Sequence, residues 1–201
     1  IRNPIAGISG TLQVIVNGMD AEDGRAVILG RVQEQVHRLD RLVRDLLQYS
    51  RPCELAFAPT TLRSLAEEGL RQAAVDAELE VLTDHELLTD AGAVQQILVN
   101  LLQNARDAAG DTGWVGLRVG PGRELWVMDD GPGVPHELRD TLFRPFVSSK
   151  AKGTGLGLAI CERRAQEVGG TLDLVHGPMS WPEGRHRGAA FRLRLPAAPR
   201  R

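Results

Sequence analysis

The sequence predicts an α+β protein in two parts. An N-terminal antiparallel helical hairpin, half of a four-helix bundle, is followed by a two-layer α/β sandwich. Three observations carry this expectation. Apolar residues recur in heptad-like steps over residues 1–49, the pattern breaks at Ser50-Arg51-Pro52, and beyond the break helical stretches mix with short strand-like runs. The 201 residues are 42% hydrophobic and 25% charged, an ordinary composition for a chain able to bury a core in one or two domains.

Ile1, Ile5, Ile8, Leu12 and Ile15 advance by alternating steps of four and three, which places them on one helix face. Asn17-Gly18 supplies the stop. In a second helix over 25–49, Leu29, Val36 and Val43 share one heptad position, and Val32, Leu39 and Leu46 share another; Leu42 and Leu47 widen the stripe. Two such helices on a short connection form a hairpin. A lone hairpin leaves much of that stripe in water, so a second copy completing a four-helix bundle is the expected partner. Pro52 disfavours the helical conformation of the residue before it, which puts the domain boundary between residues 1–51 and 52–201.

Beyond the boundary, 62–74 reads as a helix, 80–82 as a short strand and 91–109 as a strongly apolar helix. Residues 115–119 and 125–128 form a hairpin pair around a turn at 120–123. A helix over 155–168 ends at Gly169-Gly170. Two last strands follow, 171–176 and 189–195, with Phe191, Leu193 and Leu195 facing inward. Residues 177–188 read as an irregular loop with no assigned function.

Charge and cysteine usage narrow the classes. A net charge of −2 argues against bulk nucleic-acid binding, which needs a basic face. No apolar run approaches the ~18 residues of a membrane span, so any membrane attachment would come through segments outside this sequence. Cys53 and Cys161 have no metal-ligand spacing and read as reduced thiols of a cytoplasmic protein. Of 24 basic side chains only two are lysines, Lys150 and Lys152, and both fall between two glycine clusters.

Those clusters are Asp129-Asp130-Gly131-Pro132-Gly133 and Gly153-Thr154-Gly155-Leu156-Gly157-Leu158. The second opens into a helical pattern, where exposed N–H groups and the helix dipole favour phosphate. Phe143 and Phe146 are expected to anchor the intervening loop as packing residues. Upstream, Asn100 and Asn104 project from one face of the apolar helix, being four apart. Their amides either cap neighbouring loops or serve a Mg²⁺–phosphate site, for which a neutral oxygen ligand is suited. Asp129, at the end of a strand, either accepts from the exocyclic amine of adenine or forms an Asx turn. Asp130 suits the turn role better.

Together with Ile1-Arg2-Asn3-Pro4-Ile5, Asn100-Leu101-Leu102-Gln103-Asn104-Ala105 and Leu142-Phe143-Arg144-Pro145-Phe146, these clusters resemble the core of bacterial two-component sensor histidine kinases. The likeness covers nearly the whole chain and is closest to the short-lid, nitrogen-regulation type. It implies a dimeric helical hairpin joined to the ATP-binding sandwich of the histidine-kinase/gyrase/Hsp90/MutL type. By this resemblance Asn104 would hold Mg²⁺ with help from Asn100, and Asp129 would bind adenine. Gly131 and Gly133 would floor the pocket; Gly153, Thr154, Gly155, Leu156 and Gly157 would receive the phosphates of ATP.

The resemblance further implies phosphoryl transfer to a hairpin histidine, then to a response-regulator receiver domain. In the family that histidine directly precedes the Ile-Arg-Asn-Pro sequence, so the acceptor is expected outside this chain, which by itself would not autophosphorylate at the usual site. None of the five histidines matches the motif. Asn3, four residues beyond the acceptor, would orient a water for dephosphorylating the regulator. Long-lid relatives often carry an arginine where Ser148 stands here, which leaves Lys150 as the candidate for the γ-phosphate. A serine kinase of the anti-sigma-factor type is disfavoured by the hairpin. A nucleotide-binding scaffold without chemistry is disfavoured by the intact Asn104, Asp129 and Gly-Thr-Gly-Leu-Gly set.

Overall fold

The computed structural model describes residues 2–18, 24–50, 54–148, 150, 153–175 and 188–198. Two compact units result: Ile1–Pro52 with Pro145–Leu156, and Cys53–Arg144 with Gly157–Arg201.

In the first unit, α1 (Arg2–Asn17) packs against α2 (Gly24–Ser50). The Gly18 N–H donates to the carbonyls of Val14 and Ile15, closing the first helix where Asn17-Gly18 predicted a stop. The Gln33 amide hydrogen-bonds the Gln13 side chain across the pair. The two heptad rows of α2 differ in exposure. Leu29, Val36 and Val43 are half-buried, whereas Val32, Leu39 and Leu46 remain 42–52% exposed, as do Ile8 and Ile15 on α1 at 52% and 44%. The hairpin thus covers one row and leaves an apolar row in water. The connection at 19–23 and the boundary at 51–53 lie outside the described residues.

The second unit is a sheet with helices on one face. Five strands, β2 (Glu78–Val81), β4 (Val115–Gly120), β5 (Glu124–Asp129), β7 (Ala190–Arg194) and β6 (Thr171–Leu174), lie in the order β2-β4-β5-β7-β6. β2 runs parallel to β4, and every other pairing is antiparallel. The period-2 rule assigns the faces. Leu117 and Val119, Leu125 and Val127, and Phe191 and Leu193 point inward to helices α3 (Leu62–Ala73), α4 (Ala91–Ala109) and α5 (Gly157–Glu167). Trp126, Met128 and Ala190 point outward, with Arg192 stacked over the Trp126 ring at 5.0 Å. Helix α4 is the centre of the core: Val94, Ile97, Leu98 and Leu102 are fully buried and Leu101 nearly so.

The structure departs from the sequence expectation at three places. A two-stranded antiparallel ribbon, β1 (Ala58–Thr61) with β3 (Glu86–Thr89), lies in stretches where no strand was expected. β2 starts two residues earlier than its apolar core suggested. Helix α5 starts at Gly157 rather than Gly155, because Gly155 adopts φ +69°, outside the right-handed helical region. The loop at 176–187, including His176 and His186, lies outside the described residues. Among the described residues no helix is long and apolar enough to cross a membrane.

Buried Asp90 joins the segment after the boundary to this core. Its Oδ1 accepts from the Ala93 N–H at 2.7 Å as the N-cap of α4, and its Oδ2 accepts from the Ala56 N–H at 2.6 Å. Asp90→Ala removes the cap and orphans a second donor, so a loss of about 1–3 kcal/mol in urea denaturation is expected. A midpoint equal to wild type would show that this carboxylate is not a structural tie.

Candidate nucleotide site

The strand parity that buries Leu125 and Val127 brings Asp129, two residues on, to the helix-facing side at the end of β5. Asp129 is 3% exposed. Its Oδ1 accepts from the N–H of Gly131 at 2.9 Å, an Asx turn, and from the N–H of Ala189 at 3.2 Å. The turn and binding readings of Asp129 are therefore compatible, since one oxygen makes the turn and fixes the carboxylate plane. Asp130 points elsewhere: its Oδ1 accepts from the Trp114 N–H at 2.8 Å, closing the end of the β4–β5 ladder.

Gly131 lies against the last turn of α4. A Cβ there would stand 2.7 Å from the Ala108 carbonyl oxygen and 3.0 Å from Asp129 Oδ1, so only glycine lets the loop close over both. Gly133 holds φ +75°, a conformation that favours glycine. Asn104, one turn before Ala108, and Asn100, one turn earlier again, are both half-buried on α4.

The Asn100 amide nitrogen donates to the Gly157 carbonyl at 3.4 Å, and its oxygen lies 3.0 Å from where a Gly157 Cβ would be. It thereby ties α4 to the first turn of α5. Beneath it Cys161 is fully buried; burial pushes its thiol up to about 12, against a smaller opposing hydrogen bond from Asn100. A neutral thiol in that position is packing rather than chemistry.

Among the described residues there is no group of three or more His, Cys, Asp or Glu able to hold a metal ion by itself. The amide oxygens of Asn100 and Asn104 are neutral, hard donors of the kind a Mg²⁺ ion accepts alongside phosphates and water.

The remaining expected site residues belong to the first unit. Lys150 is exposed; its backbone N–H donates to Ser148 Oγ at 3.1 Å, and its carbonyl accepts from the Gly153 N–H at 3.1 Å. Lys152 lies outside the described residues. The Phe146 N–H donates to the Gly155 carbonyl at 2.9 Å, stitching the two ends of the segment. A Cβ on Gly155 would meet the Phe146 backbone at 2.5 Å, so glycine is required there on space as well as on its positive φ.

Thr154 Oγ1 donates to Asp45 Oδ2 of α2 at 2.8 Å and accepts from the Leu156 N–H at 3.4 Å; Leu156 is fully buried. Phe146 corrects the packing expectation: it is 64% exposed, with φ +67°. Phe143 does pack, edge-on to Phe191 at 6.4 Å. Asn3 lies within α1, and nothing of its side chain is described.

Sequence reasoning started the last strand at Ala189 but missed that this end, with Gly188, pairs with Asp129. The N–H of Asp129 donates to the Ala189 carbonyl, and the Gly188 N–H donates to the Asp129 carbonyl at 3.0 Å. The one available signal was a glycine immediately before an alternating strand, at the edge of a stretch read as featureless.

Comparison with known proteins identifies the family. Residues 89–199 match the family described as histidine kinase-, DNA gyrase B- and HSP90-like ATPase, and residues 1–52 match the His Kinase A (phospho-acceptor) domain. The sensory histidine kinase/phosphatase NtrB of Rhodobacter capsulatus is 31% identical over 100% of this chain, which spans 60% of that relative's length. Full-length ShkA, solved in complex with AMPPNP, is 28% identical, with a TM-score of 0.67 over 100% of this chain and 45% of that one. The histidine kinase ThkA, solved with the response regulator protein TrrA, shares the fold at 24% identity, with a TM-score of 0.68 over 98% of this chain and 58% of that one.

Proposed function

As the chain belongs to the bacterial two-component sensor histidine kinases, we propose that it binds ATP with Mg²⁺ and passes the γ-phosphoryl to a hairpin imidazole. From there the group moves to an aspartate on a response-regulator receiver domain. The observation that supports the nucleotide reading best is the buried Asp129 carboxylate, held by the N–H groups of Gly131 and Ala189 beside the α4 end that carries Asn104. In this reading Asp129 accepts from the adenine amine, and Gly131 and Gly133 bring backbone close to the base.

Mg²⁺ would be held by Asn104, assisted by the Asn100 oxygen, and when bound supplies charge neutralisation at the phosphates. Gly153, Thr154, Gly155, Leu156 and Gly157 offer backbone N–H groups to the phosphates, and Lys150 offers a cation to the γ-phosphate. Phosphoryl transfer through a loose transition state asks the protein mainly for such positioning and charge. The Thr154 hydroxyl, now bonded to Asp45, exchanges that partner for phosphate on loading.

The half-open apolar row of Val32, Leu39 and Leu46 supports a homodimer through the hairpin. The domains assigned are 1–51 for dimerisation and phosphotransfer and 52–201 for ATP binding. Asn3 acts in the opposing hydrolysis, orienting a water towards the regulator's phospho-aspartate, which frees the aspartate and releases inorganic phosphate.

Three measurements check these roles. Asn104→Asp should abolish ATP-dependent labelling of a separately supplied hairpin that contains the family's histidine; unchanged labelling sinks the assignment. Lys150→Ala should weaken ATP by about tenfold while ADP changes little, as expected for loss of one charge-assisted contact to the γ-phosphate. Equal losses for the two nucleotides would remove Lys150 from that role. Asn3→Ala should slow dephosphorylation of the regulator, and an undiminished rate would end the phosphatase assignment.

A further inference from the structure

Gly188 precedes β7 and faces the end of β5. The paired bonds between Asp129 and residues 188–189 carry the strand pairing one step beyond the ladder. A Cβ built on Gly188 would stand 2.0 Å from Asp129 Oδ1, 2.6 Å from the Asp129 carbonyl oxygen and 2.7 Å from the Gly131 nitrogen. Its φ is outside the left-handed region, so the requirement for glycine here is one of space and not of conformation. The oxygen that a side chain would strike is the one that accepts from both Gly131 and Ala189. Gly131, Gly188 and Ala189 therefore enclose a single carboxylate oxygen.

We propose that Gly188 is a specificity-positioning residue: its bare Cα lets the Asp129 carboxylate lie against the two amides, and so aims it at the exocyclic amine of adenine. This rests on the ATP reading above and extends it to base selection. Of the three atoms a Cβ would meet, two are backbone, held by the strand pairing and by the Gly131 turn. The carboxylate can turn away, while the two backbone contacts are relieved only if the 188–189 strand end shifts as well. Either movement breaks the two N–H···O hydrogen bonds from Gly131 and Ala189 and redirects the acceptor.

A fixed carboxylate accepts from the adenine amine and repels the carbonyl oxygen that guanine carries at the same position. Losing its orientation therefore erodes the preference between purines more than it erodes phosphate binding. Gly188 acts through Asp129 and touches no reacting atom.

The test is nucleotide binding to the full chain, comparing ATP with GTP by calorimetry, alongside thermal melting. Gly188→Ala should lower the ATP-over-GTP preference roughly ten- to hundredfold, the effect of misplacing one charged hydrogen bond, with ATP affinity lowered and GTP affinity unchanged or raised. A folded Gly188→Ala protein that keeps the wild-type preference overturns the proposal while leaving the ATP reading intact. Wild-type protein that binds neither nucleotide overturns both.

Should the variant not fold, amide NMR of the wild-type chain decides. Adenosine, which lacks phosphates, should shift the Gly188, Ala189 and Gly131 amides, and inorganic triphosphate should not. Absence of an adenosine shift at these amides overturns the proposal.

Discussion

Helix α4 is the constraint on which the nucleotide-binding unit depends. Its apolar face, Ala93, Val94, Ile97, Leu98, Leu101, Leu102 and Ala105, reaches low energy only when covered by the sheet and by α3 and α5. The close approach of α3 is made by Gly69, where a Cβ would stand 2.8 Å from a Leu98 methyl. Once Ile97, Leu98, Leu101 and Leu102 are buried, the azimuth of the helix is set, and with it the directions of Asn100 and Asn104. The same packing places the Ala108 carbonyl against Gly131 and hence fixes the turn that holds Asp129. Core burial and site geometry here are one arrangement.

What could be read in the sequence followed from periodicity and from residues whose chemistry is hard to hide. The bounds of α4, the hairpin of β4 and β5 and the strand-end position of Asp129 came from apolar patterning, which burial enforces. The β1–β3 ribbon did not, because Ala58-Pro59-Thr60-Thr61 and Glu86-Leu87-Leu88-Thr89 are short and show little alternation. Their pairing is a tertiary outcome of the chain returning beside α3.

Within the site, the paired asparagines and the glycine clusters were legible as motifs, but not the partners that orient them. That Asn100 donates to Gly157, that Phe146 is exposed and that Gly188 abuts Asp129 depend on contacts between residues distant in sequence. A glycine at the end of a loop looks the same whether it serves conformation or space. Only the position of its neighbour separates the two.

The stitch between Phe146 and Gly155 has a consequence for how such chains diversify. One N–H···O bond and one close backbone contact define both ends of the enclosed segment, so its anchors do not depend on what lies between them. Closing a loop costs entropy that grows only with the logarithm of its length, roughly 0.6 kcal/mol for each doubling. Insertions within this segment are therefore thermodynamically cheap, while a side chain in place of Gly155 is not. Length is the free variable in this part of the chain, and the knot that closes it is the fixed one.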